Sequence, residues 1–210
     1  MAASITGLYA IADTQLINSK TLTEKVAQAI AGGARLIQYR DKTHRTTQRR
    51  HQAQVLSTLC QRLGIPLIIN DDIGLAKKVR ARGVHLGQDD DTIKLARETL
   101  GEDAIIGISC YNDLDRAIEA EKQGANYVAF GRFFKSPTKP DAIQAEPELL
   151  KRAKAILTIP VVAIGGINSE NGGGLINAGA DALAVISGVF AATDVYATAQ
   201  AYSRLFDTHR

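Results

Sequence analysis

Polar and charged residues in this chain gather at one kind of place, the C-terminal ends of short apolar runs rich in Val, Ile and Leu. LIQYRDK at 36–42 carries Gln38, Arg40 and Lys42, and PLIINDD at 66–72 ends in Asn70, Asp71 and Asp72. VHLGQDD at 84–90 ends in Asp89 and Asp90, and IIGISC at 105–110 carries Ser109. VVAIGGI at 161–167 and LAVISGV at 183–189 end in Gly and Ser. Arginine and lysine suit phosphate oxygens. Asp71 and Asp90 end neighbouring runs. Paired carboxylates beside phosphate binders suit Mg2+, which takes one or two carboxylates and completes its shell with water and substrate phosphate. The other use of an aspartate at such a place is to cap a helix, and Asp72 and Asp91 are better placed for that.

Three further pieces could do chemistry. The longest connection, Arg132 to Ala145, holds Lys135, Ser136, Pro137, Thr138, Lys139, Pro140 and Asp141. Long connections in compact domains are commonly functional or disordered, and this one reads as a phosphate-binding lid. Gly165–Gly166 and Ser187–Gly188 are small-residue turns that let an anion approach backbone N–H groups. Period-two alternation points Gln38, Arg40 and Lys42 to one side of their strand. Burying three polar groups there would be costly unless they meet ligand or water. His85, in mid-strand, reads as a hydrogen-bonded structural residue. Ser109 has no evident base partner, and no Ser-His-Asp or Cys-His spacing is present. The set reads as a binder of anions and metal with no covalent nucleophile.

Positioning these residues on one face requires a particular architecture. Strand patterns fall at Leu8–Ala12, Leu36–Arg40, Leu67–Asn70, Gly83–Leu86, Ile105–Ser109, Tyr127–Gly131, Val161–Gly165 and Ala182–Ser187. Helical patterns follow at 21–32, 46–63, 73–81, 92–100, 113–123, 146–157, 169–178 and 194–206. Apolar strands alternating with helices mean parallel βαβ units. Eight such units in 210 residues predict an α/β fold of the (βα)8 TIM barrel type, as a single domain over 1–210. Such barrels keep their active sites at the C-terminal ends of the strands. An open doubly wound sheet is the alternative. AGGARLIQ at 31–38, KQGANYVAF at 122–130 and NAGADALAV at 177–185 echo one another as helix end, Gly, strand, and Gly64 and Gly83 repeat the device. Gly172, Gly173 and Gly174 fit poorly in the seventh helix, which should start late or be loose.

Composition narrows the setting. A net charge of +3 with dispersed Lys and Arg is no nucleic-acid signature. Cys60 and Cys110 lack metal-ligand spacing and read as packing residues. No run approaches a membrane span, and the N-terminus does not read as a signal peptide. A cytoplasmic, reducing compartment is expected.

Taken together, the residues resemble the thiamine-phosphate synthase family over nearly the whole chain. The resemblance rests on QYRDK at 38–42, NDD at 70–72, HLGQDD at 85–90, GIS at 107–109, SPTK at 136–139, IGGI at 164–167 and VISGV at 185–189. It implies an enzyme joining a hydroxymethylpyrimidine diphosphate to a thiazole phosphate, with release of diphosphate. It further implies that Gln38, Arg40, Lys42, Asn70, Ser109 and Lys139 hold the pyrimidine diphosphate. Ser136, Pro137, Thr138, Gly166, Ile186 and Ser187 would hold the thiazole phosphate, and Asp71 and Asp90 would hold Mg2+. The family often carries Pro-Thr-x-Thr-Lys in the lid. Here Lys135, Ser136, Pro137, Thr138 and Lys139 stand there, so a hydroxyl is kept while the proline has shifted. The implied partners are two small phosphorylated heterocycles, with no nucleic acid and no membrane; homo-oligomerisation stays open. A thiazole tautomerase-like paralogue would not need the diphosphate and Mg2+ set. A binding-only regulator could lose Asp71, Asp90 or Lys139, and a sugar-phosphate epimerase would not explain the Asp pair.

Overall fold

The computed structural model of the chain describes residues 5–43, 46–87, 92–135 and 144–209. Strands β1 (Gly7–Asp13), β2 (Ala34–Arg40), β3 (Leu67–Asn70), β4 (Gly83–Leu86), β5 (Ile105–Tyr111), β6 (Tyr127–Phe130), β7 (Val161–Ile164) and β8 (Ala182–Val185) pair in chain order. β1 also pairs in parallel with β8, from Gly7 opposite Ala182 to Ala10 opposite Val185. That pairing closes the sheet and excludes the open alternative. Helices α1 (Leu22–Ala31), α2 (Thr46–Leu63), α3 (Ile73–Val79), α4 (Ile93–Leu100), α5 (Leu114–Lys122), α6 (Glu148–Ile156), α7 (Gly172–Asn177), α8 (Ser187–Phe190) and α9 (Val195–Thr208) link and cover the strands.

Alternation along each strand divides the apolar residues into two cores. Tyr9, Ile11, Leu36, Ile68, Tyr127 and Val162 pack together inside the barrel. Leu8, Ala10, Ile37, Tyr39, Val128 and Val161 pack with the helices in the other cluster. Both faces of a parallel strand are thereby buried, which is why these strands read as near-continuous apolar runs. Asp72, Asp113 and Asp194 cap α3, α5 and α9 by accepting from Leu75, Arg116 and Ala197 backbone N–H groups. The capping expectation for Asp72 is met; Asp91 lies outside the described residues.

Two local expectations need correction. Ser187 does not end β8, which stops at Val185; it opens the short helix α8. Four residues are too few to show helical periodicity in a sequence. Gly83 is not a left-handed helix cap, since Arg80 takes that conformation at φ 53°. Gly83 is instead the first residue of β4, where a Cβ would collide with the Ile105 carbonyl. The late start expected of the seventh helix is met, and its glycines have a packing reason. The helix starts at Gly172, where a Cβ would lie 2.8 Å from Leu183 Cδ1, and one on Gly173 would lie 2.6 Å from the His209 ring.

Cys60 and Cys110 are free and buried, as their setting in the sequence suggests. Burial pushes both thiols up to about 12. Neither should react with Ellman's reagent in the native protein at pH 8, and both should react once it is unfolded. Because the folded values are raised, their contribution to stability is complete below the ordinary thiol value of roughly 8.5. It is lost as pH climbs from there towards about 12. Rapid labelling of native protein would contradict the burial.

Candidate active site

The C-terminal ends of the strands converge on one mouth, and most of the residues singled out in the sequence stand at or just below it. Asp13 ends β1 and lies directly opposite Arg40, which ends β2. Arg40 Nη1 is ion-paired to Asp13 Oδ2, and the Gln15 backbone N–H donates to Asp13 Oδ1 at 2.9 Å. The carboxylate is nearly buried while the guanidinium keeps some exposure, so Asp13 holds Arg40 in a fixed pose at the rim. The sequence reading missed Asp13. Its signal is the alternation Tyr9, Ile11, Asp13, which carries an inward-facing strand up to a polar end.

Lys42, two residues past β2, is exposed and reaches the end of β3, where its ammonium pairs with Asp71 Oδ2. Asn70 Nδ2 donates to the same oxygen at 2.6 Å. Asp71 has φ 64°, a left-handed conformation that non-glycine residues rarely take. Such conformations cluster at functional sites because the surrounding structure must hold them. Here the Asp71 N–H donates to His85 O at 2.9 Å, tying the turn to β4. Arg116 on α5 clamps the next gap, donating from Nε to Ser109 O at 2.8 Å and from Nη2 to Gly87 O at 3.2 Å. Asp41 points the other way from Arg40. Burial raises its carboxyl, but hydrogen bonds led by the Thr43 backbone N–H outweigh this and leave it below the usual range.

Beneath the rim a hydrogen-bonded chain crosses the barrel. Gln38 Nε2 donates to Tyr9 Oη at 2.7 Å, and Tyr9 Oη lies 2.9 Å from Tyr127 Oη. Tyr127 Oη lies 2.9 Å from His85 Nδ1, and His85 Nε2 lies 2.9 Å from Ser109 Oγ. His85, Gly107 and Tyr127 are successive register partners across β4, β5 and β6. A Cβ on Gly107 would collide with the Tyr127 ring. Its absence lets the Tyr127 and His85 rings stack over the gap, with centroids 5.6 Å apart and planes inclined by 20°. Burial pushes both phenols well above their ordinary value, so both keep their protons. His85 is hydrogen-bonded, as its mid-strand position suggests. Ser109 has a hydrogen-bond partner that its spacing does not reveal: His85, on the adjacent strand and 24 residues away in sequence. Tyr9 and Tyr127 were also missed, because an inward tyrosine in an apolar run looks like core.

On the opposite side the ends of β7 and β8 are small and closely packed. The stretch after β6 runs alongside β7, with Phe133 N–H donating to Ile164 O at 3.3 Å and Phe134 N–H to Gly165 O at 3.0 Å. Ala145 N–H donates to Arg132 O at 2.7 Å, so the two ends of the long connection are clasped together. Gly166 has φ 66°, and a Cβ there would lie 2.5 Å from Lys135 O and 2.7 Å from Phe134 O. Asn171 Nδ2 donates to Gly166 O at 3.1 Å. Ile186 precedes α8, and Ser187 is its first residue. Asp90, Ser136, Pro137, Thr138 and Lys139 lie outside the described residues.

A closed parallel barrel with its polar side chains at the strand C-termini defines a (βα)8-barrel protein whose working face is that rim. The family model for thiamine monophosphate synthase matches residues 8–189. A thiamine-phosphate synthase of Nitrosococcus oceani is 55% identical over 206 residues, covering 98% of this chain and 95% of its own. One of Nitrosospira multiformis is 53% identical, covering 96% of this chain and 86% of its own. Among solved structures, thiamine phosphate pyrophosphorylase from Pyrococcus furiosus superposes with a TM-score of 0.87 at 35% identity, covering 98% of each chain. The chain belongs to the thiamine-phosphate synthase family and is a transferase of thiamine biosynthesis.

Proposed function

We propose that the barrel mouth joins 4-amino-2-methyl-5-hydroxymethylpyrimidine diphosphate to 4-methyl-5-(2-hydroxyethyl)thiazole phosphate, giving thiamine phosphate and diphosphate. The observation that carries this reading is the two-sided rim. Arg40, Lys42, Asn70 and Asp71 stand at the ends of β2 and β3, while Gly166, Ile186 and Ser187 stand at the ends of β7 and β8. The charged side suits the diphosphate. The small-residue side suits a single phosphate, which barrels commonly hold after strands seven and eight and at a short extra helix.

The bond from the pyrimidine methylene carbon to oxygen breaks with its electron pair, which leaves on the diphosphate. The thiazole nitrogen then gives its lone pair to that carbon. This nitrogen carries no proton, so no general base is required. What the protein must supply is charge neutralisation on the leaving group and exclusion of water from the cation-like pyrimidine. Arg40, braced by Asp13, and Lys42 supply the first from the described residues. Lys139 joins them by family resemblance. Gln38 and Ser109 then face the pyrimidine side of the site from β2 and β5. By family resemblance, closure of the connection over 132–145 would supply water exclusion.

Among the described residues no three acidic, histidine or cysteine side chains cluster as a metal cage. Mg2+ does not need one, since one or two carboxylates with water and phosphate suffice. Asp71, a hard oxygen donor held at the rim beside Asn70, fits that requirement. Asp71, with Asp90 by family resemblance, would hold the ion, which when bound neutralises the leaving diphosphate. Among the described residues no helix is long and apolar enough to cross a membrane. A cytoplasmic setting goes with two dissolved, charged substrates.

The test is incubation of the protein with both substrates and Mg2+, measuring thiamine phosphate and diphosphate together. The two should appear in equal amounts. Diphosphate released without coupling, or no product from either substrate, would overturn the reading.

A further inference from the structure

We infer that Tyr127 and His85 are positioning residues for this reaction, acting through Ser109 by a one-directional hydrogen-bond chain that points the Ser109 hydroxyl proton at the substrate. The inference rests on the assignment of Ser109 to the pyrimidine diphosphate site made above.

The direction follows from counting protons. Gln38 Nε2 donates to Tyr9 Oη. Tyr9 has one proton of its own, and its other partner is Tyr127 Oη. If Tyr127 donated to Tyr9, the Tyr9 proton would have no acceptor among the described residues. Tyr9 therefore donates to Tyr127, and Tyr127 passes its own proton to His85 Nδ1. His85 keeps its proton on Nε2 and donates it to Ser109 Oγ. Ser109 thus receives a bond from below, and its own proton is free to donate upward. The run can be reversed only by turning the Gln38 amide and moving the imidazole proton to Nδ1. Ser109 would then spend its proton on His85 and show only lone pairs to the mouth. Phosphate oxygens and pyrimidine nitrogens are acceptors, so only the first direction offers them a donor.

The ring geometry fits this path. Tyr9 and Tyr127 meet edge to face, with centroids 5.9 Å apart and an interplanar angle of 81°. Tyr127 and His85 stack across the side-chain gap at Gly107. The Tyr9 and Tyr127 rings are fully buried and Gln38 is almost so. Chains of bonds in such surroundings polarise one another, and breaking one link is felt at the end.

The first measurement is the tautomer of His85, read by long-range proton–nitrogen correlation on the labelled full chain. The chain predicts a bare Nδ1 and a protonated Nε2. The second is a kinetic cycle. Tyr127→Phe should lower kcat by about 3- to 10-fold, the worth of one hydrogen bond. KM for the thiazole phosphate should stay within about twofold, because that ligand belongs to the other side of the rim. In a Ser109→Ala background the same change should cost less than about twofold, since nothing remains to be aimed. Tyr9→Phe breaks the same chain one link earlier and serves if Tyr127→Phe does not fold. An imidazole proton on Nδ1, or an equal loss from Tyr127→Phe in both backgrounds, overturns this inference alone. A Ser109→Ala variant with unchanged kcat overturns the assignment of Ser109 and the functional part of this inference together.

Discussion

Removing divalent metal should abolish turnover, and Mg2+ should restore it. The expectation comes from Asp71, held at the rim where a diphosphate would sit. Its charge can be separated from its backbone role. Asparagine tolerates the left-handed region that Asp71 occupies at φ 64°. Asp71→Asn should therefore fold normally and lose about 100-fold or more in kcat, because polarising phosphoryl oxygens is worth several kcal/mol. Asp71→Gly should be equally inactive yet slightly more stable. It relieves a left-handed non-glycine residue and gives up an exposed pair with Lys42 and the bond from Asn70 Nδ2, both at the open rim. The gain should be about 0.5–1 kcal/mol, seen as a rise in Tm. Full activity in rigorously metal-free buffer, or an active Asp71→Asn, would remove Asp71 from the metal site.

Asp71 also shows what a sequence can and cannot convey here. Its place at a strand end was legible, because an apolar run followed by Asn-Asp-Asp has few readings. Its pairing with Lys42 was not, since 29 residues separate the two and only the barrel register brings them together. The same holds for Tyr9 and Tyr127, which are 118 residues apart. Each looks like one more apolar residue in its strand, and only closure makes their hydroxyls meet. Asp13 was more accessible. It lies opposite Arg40 in parallel register, so a strand reading carried two residues further would have reached it. Gly83 and Gly107 mark another limit. Local turn chemistry explains a glycine by its own dihedrals, whereas these two are small because a neighbouring strand fills the space.

A side chain at Gly166 should have a large effect, and it separates the two sides of the rim. The sequence suggests a small-residue turn here that lets an anion approach the backbone. The structure gives a nearer obstacle: Phe134 O and Lys135 O, the backbone that leads into the long connection. The left-handed φ at Gly166 adds a conformational cost for any side chain. Gly166→Val should therefore displace the root of that connection, and misplacement by about 1 Å at a reacting centre costs roughly 100-fold in turnover. Binding of the thiazole phosphate should weaken most, while the pyrimidine diphosphate, measured alone by calorimetry, should lose less, since its contacts from β2, β3 and β5 stay in place and only that of Lys139 lies on the displaced connection. Arg40→Ala should do the reverse. Losing a charge-assisted bond should raise the dissociation constant for the pyrimidine diphosphate by about 10- to 100-fold. Arg40→Ala also strands the Asp13 carboxylate, which is almost fully buried. Breaking such a pair destabilises the fold by about 3–5 kcal/mol at most, and less here because the guanidinium keeps some solvent. The Arg40→Ala/Asp13→Asn double variant removes that penalty while keeping the binding defect, so a folding loss cannot pass for a lost contact. If Gly166→Val and the double variant weaken the same ligand by similar factors, the rim is not divided, and the roles given to β2 and β7 must be exchanged or merged.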